Sequence, residues 1–299
     1  MPSSSQANQS SGNAKAQVTF DPVAYKDTTR EQWQSAADAW NAWGPFLRSW
    51  LGPATETMLD MATLKAGDRV LDVAAGAGDQ TLQAADRVGP TGHVLATDIS
   101  PAILAFAKQN AEANGYGWVA TQVADGEDLS VGKVTFDLVM SRVGMIYFPD
   151  QQAALKAMMS ALKPNGRVAA IVYAKPERNG FFSRPVGIIR ERAALPPPLP
   201  GQPGPFSLGA EGVLADVFRS AGLRDIDVVN VSAPLHMTSA EECVRFQKES
   251  FGALHQMMSG LNDAEKDDVW GEIGAALSEY ETADGFVGPC ELVIAVGQK

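Results

Sequence analysis

Between Val70 and Asp79 an apolar run opens into Gly76-Ala77-Gly78, with Asp72 inside the run and Asp79 directly after it. A glycine-rich turn leading from a buried strand into a helix lets a ligand approach the backbone closely. It also points the first helix amides at a negative group. Asp98 stands 20 residues beyond Gly78. At the end of a second strand, its carboxylate can accept hydrogen bonds from ribose hydroxyls. A third acid, Asp125, follows a third apolar run and is succeeded by Gly126. Asp125 can accept from an adenine amino group, with Gly126 leaving room for the ring. Each acid alone is compatible with helix capping or a turn; the set implies a ligand with a ribose and a group held near the turn.

The nicotinamide fingerprint G-x-G-x-x-G has a third glycine, and here that position is Thr81. A pyrophosphate also prefers a loop free of anions, whereas Asp72 and Asp79 flank this one. Two carboxylates suit a ligand with a cationic end. S-adenosyl-L-methionine has an ammonium and a sulfonium, together with a carboxylate for the helix amides. An NAD(P)-binding oxidoreductase is the first alternative, and a non-catalytic S-adenosylmethionine-binding module the second.

Four stretches, Asp72–Gly78, Thr97–Ser100, Ala124–Glu127 and Phe136–Val139, resemble the motif series of class I S-adenosylmethionine-dependent methyltransferases. Leu162–Arg167 resembles their LKPGG turn, with Asn165 where glycine is commoner. Within that superfamily the chain is most similar to the ubiquinone/menaquinone-biosynthesis methyltransferases and their small-molecule relatives. The resemblance covers about residues 30–175. It implies a Rossmann-like, seven-stranded, mostly parallel sheet with helices on both faces and an antiparallel last strand, Glu291–Val296. It also implies that cofactor binding falls to Asp72, Gly76, Asp98, Ile99, Asp125 and Gly126, with backbone contacts near Ser141. Ala74 and Gly78, on the same turn, complete the cofactor set. Ser141–Phe148 departs from the asparagine-rich stretch of the quinone enzymes, which puts a quinone acceptor in doubt.

A sulfonium methyl is already an activated electrophile, so a transferase mainly holds the acceptor in line and excludes water; such positioning can supply ~7–11 kcal/mol. A general base is needed only where the nucleophile arrives protonated. Arg142 and Tyr147, just past the fourth strand, lie where open α/β sheets bind ligands. Arg142 could orient an anionic oxygen or form a salt bridge. Three histidines occur, His93, His236 and His255. His93 opens the second strand, away from the carboxyl ends; His236 follows the sixth. His255, beside Met257 and Met258 in an inserted helix, completes the catalytic candidates with Tyr147 and Arg142. Trp33, Trp40, Trp43, Met145, Phe148, Phe181, Phe182 and Phe206 could wall an acceptor site, which points to a planar or lipophilic acceptor. Aromatic stripes also serve as core. Cys243 and Cys290 are too few for thiolate-bound metalloid chemistry, and no metal site is expected.

These residues must be positioned by strands alternating with helices, the pattern of a parallel sheet with right-handed crossovers. Residues 1–17 read as a disordered tail. A helical cap spans 18–65, starting from a Thr28–Glu31 capping box, with Pro53 opening a second short helix. The methyltransferase core spans 66–299 with inserted lid segments at about 175–210, proline-rich and irregular, and 236–288. Ser239 with Glu242, and Asn262 with Glu265, mark helix starts in the second insert. The chain has 299 residues and a formal net charge of −11. An acidic surface repels phosphate backbones, so a nucleic-acid substrate is excluded from the reading, as is a nucleic-acid methyltransferase. No apolar run approaches a membrane span, and no secretory signal is evident. The expectation is a cytoplasmic enzyme moving a methyl group by in-line displacement to a C, O or N atom of a small aromatic or lipophilic molecule. The sequence leaves the oligomeric state open.

Overall fold

The structure is a computed structural model and describes residues 20–299 apart from Lys133, Pro200 and Gly201. The tail expected at residues 1–17 lies outside the described residues. Seven strands form the main sheet: β1 (Arg69–Val73), β2 (His93–Asp98), β3 (Val119–Val123), β4 (Phe136–Arg142), β5 (Leu162–Tyr173), β6 (Arg224–Ser232) and β10 (Glu291–Gln298). Their order is β3-β2-β1-β4-β5-β10-β6. β1 pairs in parallel with both β2 and β4, while β10 runs antiparallel to β5 and β6, as the resemblance implied. A second, three-stranded sheet has the order β7-β9-β8, from β7 (Leu235–Met237), β8 (Glu281–Thr282) and β9 (Gly285–Gly288).

The central strands are buried on both faces, which is why β1, β4 and β5 read as nearly unbroken apolar runs. At the edges, β3 and β6 carry partly exposed and exposed residues. Helices α3 (Asp79–Val88), α4 (Pro101–Ala113), α5 (Gln151–Ala161) and α7 (Val213–Ala221) alternate with the strands. Ser100 caps α4 ahead of Pro101, and Asp150 caps α5 through the Ala153 amide.

At the N-terminus, α1 (Pro22–Ala42) starts earlier than the Thr28–Glu31 box predicted. The Asp21 carboxylate accepts from the Val23 and Ala24 amides, and Pro22 pre-sets the first turn. Thr28 instead donates its hydroxyl back to the Ala24 carbonyl, inside the helix. The second helix, α2 (Gly44–Met61), starts at Gly44-Pro45 and runs through Pro53. Its buried face (Leu47, Trp50, Leu51, Ala54, Met58 and Leu59) packs across β5 and β10. That burial holds the helix together across a proline that lacks an amide donor.

The stretch expected to be irregular between residues 175 and 210 contains α6 (Gly180–Arg192), whose Phe181, Phe182, Pro185 and Ile189 are buried. Helices α8 (Ala240–Ser250), α9 (Gly252–Met257) and α10 (Asp263–Leu277) follow β7. The starts of α8 and α10 match the sequence signals. Ser239 caps α8, and Asn262 and Glu265 complete a reciprocal capping box on α10. α1 packs against α4, α8 and α9, so it spans from the sheet's flanking helices to the inserted ones.

Candidate functional site

β1 has β2 on one side and β4 on the other, so the chain direction of the sheet order reverses there. Ligands of open α/β sheets bind outside the carboxyl ends of the strands at such a point. Here those ends open into a cleft of about 1070 Å³, part of it open to solvent. From the β1 turn it is lined by Ala74, Ala75, Gly76 and Gln80; from the ends of β2 and β3 by Asp98, Ile99, Ala124, Asp125 and Gly126. Past β4 come Arg142, Val143, Gly144, Tyr147, Phe148 and Pro149, and the end of β5 gives Tyr173. Lys26, Thr29, Trp33 and Trp40 of α1, with Leu51, Phe182 and Phe251, form the roof and far wall.

The backbone at the switch point is strained on both sides. Ala74 (φ +58°) and Val143 (φ +59°) occupy the left-handed region without being glycine. Such conformations cost roughly 1–3 kcal/mol each and concentrate at functional sites. Gly76 (φ +58°) shares the conformation without the steric cost. Its amide donates to Asp98 Oδ2 at 3.0 Å, while the Ser100 amide donates to Asp98 Oδ1 at 2.9 Å. Each Asp98 oxygen therefore keeps accepting capacity for a ligand hydroxyl. Burial pushes the Asp98 carboxyl above its ordinary value, against the opposing pull of these amides.

At the β3 end, Asp125 Oδ2 receives Lys26 Nζ at 2.7 Å, and its Oδ1 accepts the Glu127 amide at 2.9 Å. Lys26 also pairs with Glu127 at 2.5 Å. Gly126 is required by contact rather than by φ: a Cβ there would stand 2.5 Å from the Phe148 ring.

Three residues of the expected cofactor set stand outside the lining. Asp72 is fully buried; its oxygens receive Thr81 Oγ1 at 2.5 Å and Gln80 Nε2 at 3.2 Å. Desolvation pushes it up to about 7. It reaches the cleft only by fixing Gln80. Gly78 (φ +91°) packs against α4, where a Cβ would lie 3.0 Å from Ala107. Ser141 is buried, with its Oγ unpartnered. Gly144 keeps the adjoining space open, since its Cβ would fall 2.7 Å from Ser141 Oγ and 2.5 Å from Ala74 Cβ.

Of the catalytic candidates, Arg142 and Tyr147 line the cleft and His255 does not. The His255 ring is exposed, with Nε2 2.6 Å from the Lys248 carbonyl and the ring beside Trp270. Its helix, α9, carries it away because Leu254 is the side chain it buries. His93 and His236 are also absent from the lining. Arg142 is buried; it donates to Asp79 Oδ2 at 2.8 Å and to Thr55 Oγ1 at 3.1 Å. The anticipated second anion, Asp79, is thus committed to Arg142 at the head of α3. Tyr147 is held edge-on by Trp33 at 5.7 Å, and burial raises its phenol above the usual range.

Of the expected aromatic wall, Trp33, Trp40, Phe148 and Phe182 line the cleft, while Trp43, Met145, Phe181 and Phe206 serve as packing behind it. Sequence reading missed Lys26, Leu51, Tyr173 and Phe251. Tyr173 carried a usable signal, since it ends β5 at the carboxyl edge of the sheet. Among the described residues, no group of three His, Cys, Asp or Glu side chains could hold a metal ion.

Comparison with known proteins agrees with this architecture. A methyltransferase-domain profile matches residues 64–179. Nocamycin O-methyltransferase of Saccharothrix syringae is 31% identical over 202 residues, covering 64% of this chain and 72% of the relative. A ubiquinone/menaquinone biosynthesis C-methyltransferase of Idiomarina loihiensis is 36% identical over 119 residues, covering 40% of this chain. The match takes in 47% of that relative, so the chain spans about half of its length. In structure, Haemonchus contortus phosphoethanolamine N-methyltransferase 2, with S-adenosylhomocysteine bound, superposes with a TM-score of 0.54 at 19% identity. That superposition covers 87% of this chain and 57% of the other. The chain belongs to the S-adenosylmethionine-dependent methyltransferases. Its donor set fits that cofactor: free carboxylate capacity at Asp98 and Asp125 for hydroxyl and amino hydrogens, and glycine-opened backbone between them.

Proposed function

We propose that this enzyme methylates an oxygen or carbon of a small, planar, lipophilic molecule bound under α1, between the β4 and β5 ends of the cleft. The observation that carries the reading is the division of the lining. Carboxylates stand only at its β2–β3 end, and its β4–β5 end is aromatic with one buried guanidinium. The activities for which the two relatives are named, O-methylation and C-methylation, support those two acceptor atoms.

In this reading Asp98 accepts from the cofactor ribose, and Asp125 accepts from the adenine amino group, whose ring lies against Gly126. Ile99 covers that ring. Ala74 and Gly76 offer backbone to the amino-acid part, with Asp72, Gly78 and Ser141 supporting the turn from behind. S-adenosylmethionine, when bound, supplies an electrophilic methyl group on a sulfonium. The chain's own work is to orient the acceptor against Trp33, Trp40, Phe182 and Phe251 and to keep water out. Arg142, its charge balanced by Asp79 and its orientation fixed by Thr55, lines the site beside the acceptor, and Tyr147 presents a protonated hydroxyl. No histidine joins the lining, which supports an acceptor that needs no imidazole base. The cap up to residue 65 and the inserts at 175–210 and 236–288 act as the covers of the core. Cytoplasmic residence belongs to the same reading, since the buried free thiols of Cys243 and Cys290 suit a reducing compartment. A nucleic-acid acceptor does not fit a net charge of −11. No helix among the described residues is long and apolar enough to cross a membrane.

The test is calorimetric titration with S-adenosylhomocysteine, with NAD as control. Micromolar binding of the first and none of the second is expected. Silence toward S-adenosylhomocysteine, or a response to NAD alone, would return the glycine turn to the oxidoreductase alternative. Binding without methylation of any hydroxylated aromatic or enolic acceptor would favour the non-catalytic module.

A further inference from the structure

Tyr173 occupies a position for which stability gives no reason. It ends β5, one strand beyond β4 and on the opposite side of the switch point from Asp98 and Asp125. With strands about 4.8 Å apart, the β5 end lies roughly two strand spacings from β1, and so does the β3 end on the other flank. The Tyr173 ring is fixed by Phe181 and Phe182 at 5.9 Å and by Phe206 at 6.4 Å, and the residue is 4% exposed. A phenylalanine would pack there equally well. Yet the position holds a hydroxyl that makes no hydrogen bond among the described residues. The Tyr147 hydroxyl is likewise unpartnered. Neither belongs to the fully enclosed unpartnered atoms, which are Gln83 Oε1, Ser141 Oγ, Gln247 Oε1 and Ser250 Oγ. Both residues line the cleft, so both hydroxyls reach its free space.

The charged and titratable groups facing Tyr173 are Arg142, Tyr147 and Cys290; Tyr147 in turn faces Tyr25, and Arg142 holds Asp79. Burial raises the two phenols and the Cys290 thiol above their ordinary values, so all three stay protonated at neutral pH. This end of the cleft therefore offers two O–H donors and no carboxylate in the lining, with the Arg142 guanidinium beside them paired to Asp79 behind the lining. Such a set stabilises a negative oxygen and discriminates against a cationic amine.

We propose that Tyr173 is an acceptor-binding residue: its hydroxyl, paired with that of Tyr147, donates to the ionised oxygen of a phenolate or enolate whose ring lies against Trp40 and Phe182. The inference rests on the reading of the cleft as a methyl-transfer site and narrows its acceptor class. The proton of the acceptor's own hydroxyl passes to water on ionisation, so the site needs no resident base, in keeping with the absence of histidine from its lining.

The probe is 4-nitrophenol, whose anion alone absorbs in the visible, titrated into protein saturated with S-adenosylhomocysteine. In the native enzyme the bound probe should ionise about one pH unit lower than free probe, a tenfold preference for the anion. Tyr173→Phe keeps the ring packing, should leave S-adenosylhomocysteine affinity within twofold, and should remove most of that tenfold preference; Tyr147→Phe should lower it as well. A probe that does not bind, that binds without a shift, or that shifts equally in Tyr173→Phe overturns the assignment. Loss of S-adenosylhomocysteine binding by the native protein would instead strike the underlying reading.

Discussion

Asp98 and Asp72 are both buried carboxylates on neighbouring strands, and they do different work because their partners differ. Asp98 takes two backbone amides and keeps accepting capacity toward the cleft, whereas Asp72 spends its oxygens on Thr81 and Gln80. Asp98→Ala should weaken S-adenosylhomocysteine by roughly ten- to hundredfold, since a hydrogen bond to a charged group is worth about 1.5–3 kcal/mol. Calorimetry reads this directly, and an unchanged dissociation constant would sink the ribose role. Asp72 predicts a pH effect on folding instead. Its carboxyl is pushed from 3.8 to about 7 in the native chain, so between those values the folded protein binds a proton that the unfolded chain has released. Stability then falls as pH rises through that window, by on the order of 4 kcal/mol at most. Urea unfolding from pH 4 to 7 should show this slope, and Asp72→Asn should flatten it; equal slopes in both proteins would refute the linkage. The spacing of Asp72, Gly76, Asp98 and Asp125 was legible in the sequence because a strand–helix–strand unit fixes it. Tyr173 was legible only as the residue that ends β5, and Lys26 and Phe251 were not legible, since they meet these residues only after α1 and the inserts have packed.

Helix boundaries followed local chemistry more faithfully than the periodicity around them. Asp21-Pro22 outcompetes the Thr28–Glu31 box because it satisfies two orphan amides where a proline already fixes the turn, and the longer helix brings Lys26 to the cleft. The irregular reading of residues 175–210 failed for a related reason. Its prolines cluster after residue 195, while Phe181, Phe182 and Ile189 give α6 an apolar face to bury. With α1 about two turns longer at its start, its first turns are tied to the β3 end by the ion pairs of Lys26 with Asp125 and Glu127. These partly exposed pairs are worth on the order of 1 kcal/mol or less. Lys26→Met should therefore speed both association and dissociation of S-adenosylhomocysteine by a few-fold, while the dissociation constant moves less than about fivefold. Stopped-flow tryptophan fluorescence reports it, because Trp33 and Trp40 line the cleft. Unchanged rates would show that α1 does not gate the adenine end.

At the scale of the molecule, α1 and the main sheet share one ligand-facing surface. The roof comes from α1, the floor from β1 to β5, and the far wall from α6 and the segment after α8. The doubly wound sheet and its antiparallel last strand were legible from strand–helix alternation and the motif series. The docking of α1 onto α8 and α9 was not, because it depends on contacts between segments some 200 residues apart. This arrangement predicts how the protein unfolds. Four of the six tryptophans, Trp33, Trp40, Trp43 and Trp50, lie in α1 and α2 or, for Trp43, at their junction, so fluorescence mainly reports the cap and far-ultraviolet circular dichroism the whole chain. Trp50 donates its indole N–H to the Ala233 carbonyl at 2.7 Å, and Trp43 donates to Glu249 at 2.8 Å, tying the cap to the second half of the chain. Heating should give coincident transitions by the two probes. S-adenosylhomocysteine at a hundred times its dissociation constant adds about 2.7 kcal/mol to the folded state and should raise both midpoints together, by roughly 4–8 °C. A fluorescence transition that precedes the circular dichroism transition, and that alone responds to ligand, would mean that the cap folds as a separate unit and the cleft is assembled only on binding.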